Sequence, residues 1–150
     1  MALLASAVML GPALAHAIEL PTKMNLPRNE YFIVQQLYRG WDQFSLLLVV
    51  QLISLLAAAY LSRHERRVLI PASLAVLFLL GSQVPFWTYA HPADVATANW
   101  TMQPDNWITL RRQWEFSQAA GASLQLLSMI CLIVAVVSRL PTRKRSYYYY

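Results

Sequence analysis

His16 and Glu19 stand three residues apart, so a helix through them carries both side chains on one face. Lys23 follows just beyond Pro21. Trp107, Arg111, Arg112, Trp114, Glu115 and Gln118 crowd one short segment, and Trp87, Thr88, Tyr89 and His91 form a third group. Three chemistries fit these residue types. An imidazole oriented by a carboxylate is a general base: His16 would take a proton, Glu19 would orient it, and Arg111 or Arg112 would stabilise an enolate-like oxygen. The same donors are metal-compatible, since His16, Glu19 and His91 offer imidazole and carboxylate together, and two histidines from different helices can bracket a haem. Finally, Trp87, Tyr89, Trp107 and Trp114 can wall a pocket for a flat apolar molecule such as a quinone, polyketide or pigment, with Glu115 and Gln118 as polar anchors.

A simpler reading competes with all three. Trp41, Trp87, Trp100, Trp107 and Trp114 can form an interfacial aromatic belt. Glu19 then pairs with Lys23 or an arginine, and Arg111 and Arg112 meet lipid headgroups.

The elements that must position these residues are membrane helices. Four apolar stretches of spanning length lie at about 2–18, 44–61, 69–89 and 117–137. A hydrocarbon core of about 30 Å needs roughly 20 apolar residues as helix. These segments lack the alternation of barrel strands, and lipid tolerates no other backbone. The fold class is therefore all-α, a four-helix transmembrane bundle in one domain. Apolar residues make up 57% of the chain and charged residues 13%, which agrees. The net charge of +5 does not indicate a nucleic-acid partner, because the basic residues are split among short membrane-flanking segments. Cys131 has no second cysteine to pair with and reads as a small buried hydrophobe.

Ala15-His16-Ala17 resembles a signal-peptidase site, but no positive region opens the chain, and a retained first helix is expected. Arg63, Arg66, Arg67, Arg139, Arg143, Lys144 and Arg145 account for seven of the twelve basic residues and fall at one end of a four-span protein. That end is expected to be cytoplasmic, with both termini inside and the protein in the inner (plasma) membrane. The connections 19–43 and 90–116 then face the exported side. In the first, Pro27 to Glu30 opens a short interfacial helix over Tyr31–Arg39, with Phe32, Gln36 and Arg39 on one side and Val34, Leu37 and Tyr38 on another. In the second, Pro104 to Trp107 starts a helix that continues into the fourth span, about 30 residues in all. The tail Tyr147–Tyr150 has no packing logic.

Small-residue stripes should bring the helices together: Ala7, Gly11 and Ala15 at four-residue spacing in span one, Gln51, Ser54 and Ala58 in span two, and Ser117, Gly121, Gln125 and Ser128 in span four. Gln51, Gln83 and Gln125 should bond between helices. Pro85 predicts a kink about one turn before it in span three.

The segment Ala15-His16-Ala17-Ile18-Glu19-Leu20-Pro21-Thr22-Lys23 resembles the end of the first helix in the anthrone oxygenase-like domain-of-unknown-function family, small four-span bacterial membrane proteins. Tyr31-Phe32, Gln35-Gln36 and Tyr38-Arg39-Gly40-Trp41 resemble its first exported loop. Asn99-Trp100-Thr101, Pro104, Asn106-Trp107 and Leu110 to Glu115 resemble its second. The resemblance spans nearly the whole chain and implies a four-helix membrane bundle; some relatives oxidise anthrones to anthraquinones with molecular oxygen. Members usually carry a histidine after the Trp-Glu pair and often an asparagine three residues later, where this chain has Gln118 and Gly121. Glutamine does not titrate near neutral pH, so a proton-abstracting role at that position is lost. Two functions follow as expectations. The favoured one is a non-catalytic accessory subunit that docks on other membrane subunits and contacts lipid, quinone or pigment. The alternative is a small oxygenase-like enzyme acting on a flat anthrone- or quinone-like substrate.

Overall fold

The computed structural model describes residues 1–38 and 40–140, and every regular element in them is helical. The order is α1 (Ala2–Lys23), α2 (Arg28–Gln35), α3 (Phe44–Leu61), α4 (Arg66–Pro85), α5 (His91–Ala96) and α6 (Trp107–Ser138). Short 3-10 turns at Gln36–Tyr38 and Trp41–Gln43 join α2 to α3, and a π turn at Phe86–Ala90 joins α4 to α5. Four helices are long and apolar enough to cross a membrane: α1, α3, α6, and α4 continued through α5 to Ala96. Their outward faces carry Leu46, Ile53, Ile70 and Leu77, all exposed. That surface suits lipid rather than water.

The four long helices close a ring: α1 packs on α6 and α3, and α4 packs on α6 and α3. Near the turn that joins α3 to α4, Leu55, Ala75, Val76, Leu79 and Leu132 fill the interior. Above them lies a polar layer. Gln51, fully buried, donates from Nε2 to Ser6 Oγ at 3.2 Å and to Gln125 Oε1 at 3.3 Å. Gln51 and Gln125 thus bond between helices as expected, whereas Gln83 donates within its own helix to Ser82 Oγ at 3.1 Å.

The other end is capped. Tyr31 and Phe32 of α2 pack with Ala90, Ala93, Trp100, Leu110 and Trp114 in a second core. Arg28 bridges α2 to the loop before α6 by donating to the carbonyls of Gln103 and Pro104. α6 is 32 residues, about 48 Å at ~1.5 Å per residue, so its first turns extend beyond the apolar slab and build this cap.

Several expectations are corrected. α1 does not stop near residue 18 but runs through Pro21 to Lys23. The third span stays helical up to Pro85, passes into the π turn at Phe86–Ala90 and resumes as α5 at His91. The inward face of α2 is Tyr31, Phe32 and Gln35, while Gln36 and Leu37 are exposed, because the cap offers an aromatic core rather than a lipid surface. The span-four stripe faces inward, but Ala7, Gly11 and Ala15 of α1 face outward. A Cβ on Gly11 would meet nothing within 4 Å. Arg39 and the tail with Arg143, Lys144, Arg145 and Tyr147–Tyr150 lie outside the described residues.

Candidate functional site

A cavity of about 960 Å³ opens between the helices at the capped end. Its floor is Gln125, and its upper wall includes His16, Tyr38, Trp41 and Trp114. From Trp114 to Gln125 is eleven residues of α6, so the cavity is about 16 Å deep at ~1.5 Å per residue.

His16 is the polar centre of an aromatic box. Its ring lies 4.4 Å from Tyr38, 5.4 Å from Trp41 and 5.3 Å from Trp114, centroid to centroid. Behind it, Lys23 Nζ stands 3.4 Å from His16 Nδ1. Lys23 is seven residues on, two helical turns, which puts it on the face of His16. An ammonium can only donate, so in this contact Nδ1 accepts, an arrangement that suits the neutral tautomer with its proton on Nε2. The His16 ring itself lines the cavity.

Lys23 is 3% exposed and is held by four groups. Glu19 Oε2 is 3.0 Å away and Glu115 Oε1 4.0 Å. The rings of Tyr38 and Trp114 lie 4.4 and 5.4 Å from the ammonium, within cation–π range. Glu115, 1% exposed, accepts from Tyr31 OH at 3.1 Å and from Gln35 Nε2 at 3.0 Å. Gln35 Nε2 also lies 2.6 Å from Tyr31 OH. Glu115 Oε2 and Gln35 Oε1 are buried with no partner among the described residues. Tyr38 OH donates to Glu19 Oε2 at 2.7 Å. Burial, followed by the Glu115 charge, pushes the Tyr31 phenol well above its ordinary range. Burial and the Glu19 hydrogen bond raise that of Tyr38. Both phenols stay protonated donors at neutral pH.

The remaining expected site residues divide. Trp114 and Gln118 line the cavity, and Trp87 lines its mouth while 62% exposed. Tyr89 points outward and takes no part in the lining. Trp107 stacks in the cap core near Phe32 instead. Arg111 is anchored away from the cavity: its guanidinium donates to the Leu26 carbonyl at 3.0 Å and lies over the rings of Trp107 and Tyr31 at 4.7 and 5.4 Å. Arg112 is exposed. Neither arginine reaches the space in front of His16, so no oxyanion role follows for them. Glu19 reaches His16 through Lys23 and through Tyr38.

No family model matches this chain, and neither a curated protein nor a solved structure matches it significantly.

Among the described residues, no three His, Cys, Asp or Glu side chains converge in a way that would hold a metal ion. His91 lines the cavity but stacks on Trp87, ring centroids 5.0 Å apart. Sequence reading missed Tyr31, Gln35 and the full role of Lys23. The signals were present: Tyr31 and Gln35 are one turn apart, and Lys23 is two turns from His16. Only the continuity of α1 through Pro21 makes the second spacing meaningful.

Proposed function

We propose that this chain is a membrane protein that binds a flat, largely apolar carbonyl compound, of the quinone or anthrone type, in the cavity at its capped end. The supporting observation is the aromatic box around His16, with Nδ1 occupied by Lys23 and the ring at the cavity wall. Tyr38, Trp41 and Trp114 supply ring faces, and His16 Nε2–H supplies the donor that a carbonyl oxygen needs. The resemblance of the His16–Lys23 and Asn99–Glu115 segments to the anthrone oxygenase-like family supports the same ligand class. Because Nε2 carries the proton, His16 acts as an orienting donor rather than as a base. The capped end is then the exported side of the inner membrane, in keeping with the basic Arg63–Arg67 turn at the opposite end.

The test is quenching of tryptophan fluorescence by menadione in purified protein. Saturable quenching that weakens at least tenfold in His16→Ala supports the reading, and identical quenching in both contradicts it.

One observation favours the second reading, an accessory subunit of a larger membrane assembly. The outward Ala7, Gly11 and Ala15 stripe of α1 is the kind of surface on which another membrane helix packs closely. Gly11→Leu should then release co-purifying membrane subunits without affecting menadione quenching.

A further inference from the structure

Named contacts join the helices around three sides of the cavity. Between α1 and α6, His16 meets Trp114. Between α4 and α6 the backbones approach so closely that a Cβ on Gly121 would lie 3.4 Å from the Ser82 carbonyl oxygen. Between α1 and α3, Gln51 bonds Ser6 below and Trp41 meets His16 above. The fourth side differs. α3 and α4 pack through Leu55, Ala75, Val76 and Leu79 toward the opposite end. Higher up, Ser45 of α3 and Gln83 of α4 both line the cavity. Ser45 is exposed, as are Trp41 above it and Trp87 across the gap.

This stretch of the α3–α4 seam, the slit of the proposal below, adjoins lipid-facing surface. Leu46 beside Ser45 is 71% exposed, and Val84 beside Gln83 is 63% exposed. Both belong to helices of membrane-spanning character. The cavity also sits at the top of the range of about 300–1,000 Å³ that encloses a drug-sized ligand, more than a two- or three-ring head fills.

We propose that the ligand is lipid-anchored: its ring lies in the His16 box, and a single long apolar tail leaves through the α3–α4 slit into the leaflet at the capped end. The proposal rests on the ring-binding reading above and adds its ligand class, a ring compound with one long apolar tail that enters sideways from the bilayer. A tail in this slit replaces lipid chains along Leu46 and Val84 and needs no polar partner. Its ring reaches His16 without crossing the polar cap of α2.

The test uses menadione and phylloquinone, which share a ring system and differ by a phytyl tail, on the protein in phosphatidylcholine vesicles. The tail should raise affinity, corrected for partition into lipid, at least tenfold. A phylloquinone analogue with a diazirine at the tail end should photolabel residues 45–48 and 83–87. Ser45→Trp, which fills the slit, should cut the ratio of the two affinities at least fivefold. Equal corrected affinities, or labelling confined to the outward faces of α1 and α6, would overturn the tail while leaving the ring site standing. No saturable quenching by either quinone would overturn the site itself and this proposal with it.

Discussion

Lys23 Nζ stands 3.4 Å from His16 Nδ1, and both side chains are buried. This contact joins the cavity to the charged cluster behind it. In the proposed reading it favours the Nε2–H tautomer, and so sets what the cavity presents to a ligand. Without Lys23, His16 is free to expose either nitrogen.

Lys23→Met should therefore act twice. Removing one partner of a buried charge cluster strands Glu115, at a cost of about 3 kcal/mol. The double variant Lys23→Met, Glu115→Gln should recover part of that loss, because the stranded charge is gone. Unfolding of the parent, Lys23→Met, Glu115→Gln and the double variant in mixed micelles measures both. Strict additivity of the two single changes would show that the residues are not coupled.

The phenols offer a pH prediction. Burial raises Tyr31, and burial with the Glu19 hydrogen bond raises Tyr38, above the ordinary value of about 10. The folded protein then holds protons that the unfolded chain releases. The stabilisation is complete below pH about 10 and declines as the pH rises past it. Tyrosinate absorbance between pH about 9 and 11 should be the same in Tyr31→Phe as in the parent protein, since Tyr31 does not contribute there. A smaller absorbance rise in Tyr31→Phe would show an ordinary, titrating phenol.

Ala98, Asn99 and Trp100 are three successive residues with positive φ, at 48°, 54° and 60°, beside the cavity. Thr97 holds this turn: its Oγ1 donates to the Ala93 carbonyl at 2.8 Å and accepts from Trp100 N at 3.1 Å. A left-handed alanine costs roughly 1–2 kcal/mol. Ala98→Gly should thus raise stability by about 1 kcal/mol, less the entropy of a freer unfolded chain. A lower melting temperature would mean that the methyl group makes a contact worth more than the strain.

The two glycines of the small-residue stripes should respond differently. Gly121→Leu drives a side chain at the Ser82 carbonyl and should cost about 1–3 kcal/mol or rearrange the bundle. Gly11→Leu enters open space and should leave stability unchanged. Thermal unfolding of both variants checks this.

Much of the fold was legible because membrane helices announce themselves by length and apolarity. Asn106 and Trp107 marked the start of α6 correctly, and Gln125 and Ser128 marked its inward face. The direction of the Ala7–Ala15 stripe was not legible, because small residues suit packing against any helix, inside the bundle or out. Nor was the persistence of α1 past Pro21. Local propensity opposes it, and the Lys23–Glu19 and Lys23–Glu115 contacts that reward it lie across the fold. His16, Trp114 and Gln118 were assigned to the site from residue type alone. Arg111 and Arg112 do not line the cavity, since charge near a membrane edge says nothing about which way the guanidinium turns.

The most direct measurement is nitrogen NMR of the His16 ring, assigned by the signal lost in His16→Gln, with and without menadione. The account predicts a pyridine-type Nδ1 and a protonated Nε2, with the Nε2 signal shifting as the quinone binds. A ring protonated at Nδ1, or one indifferent to saturating menadione, would contradict it.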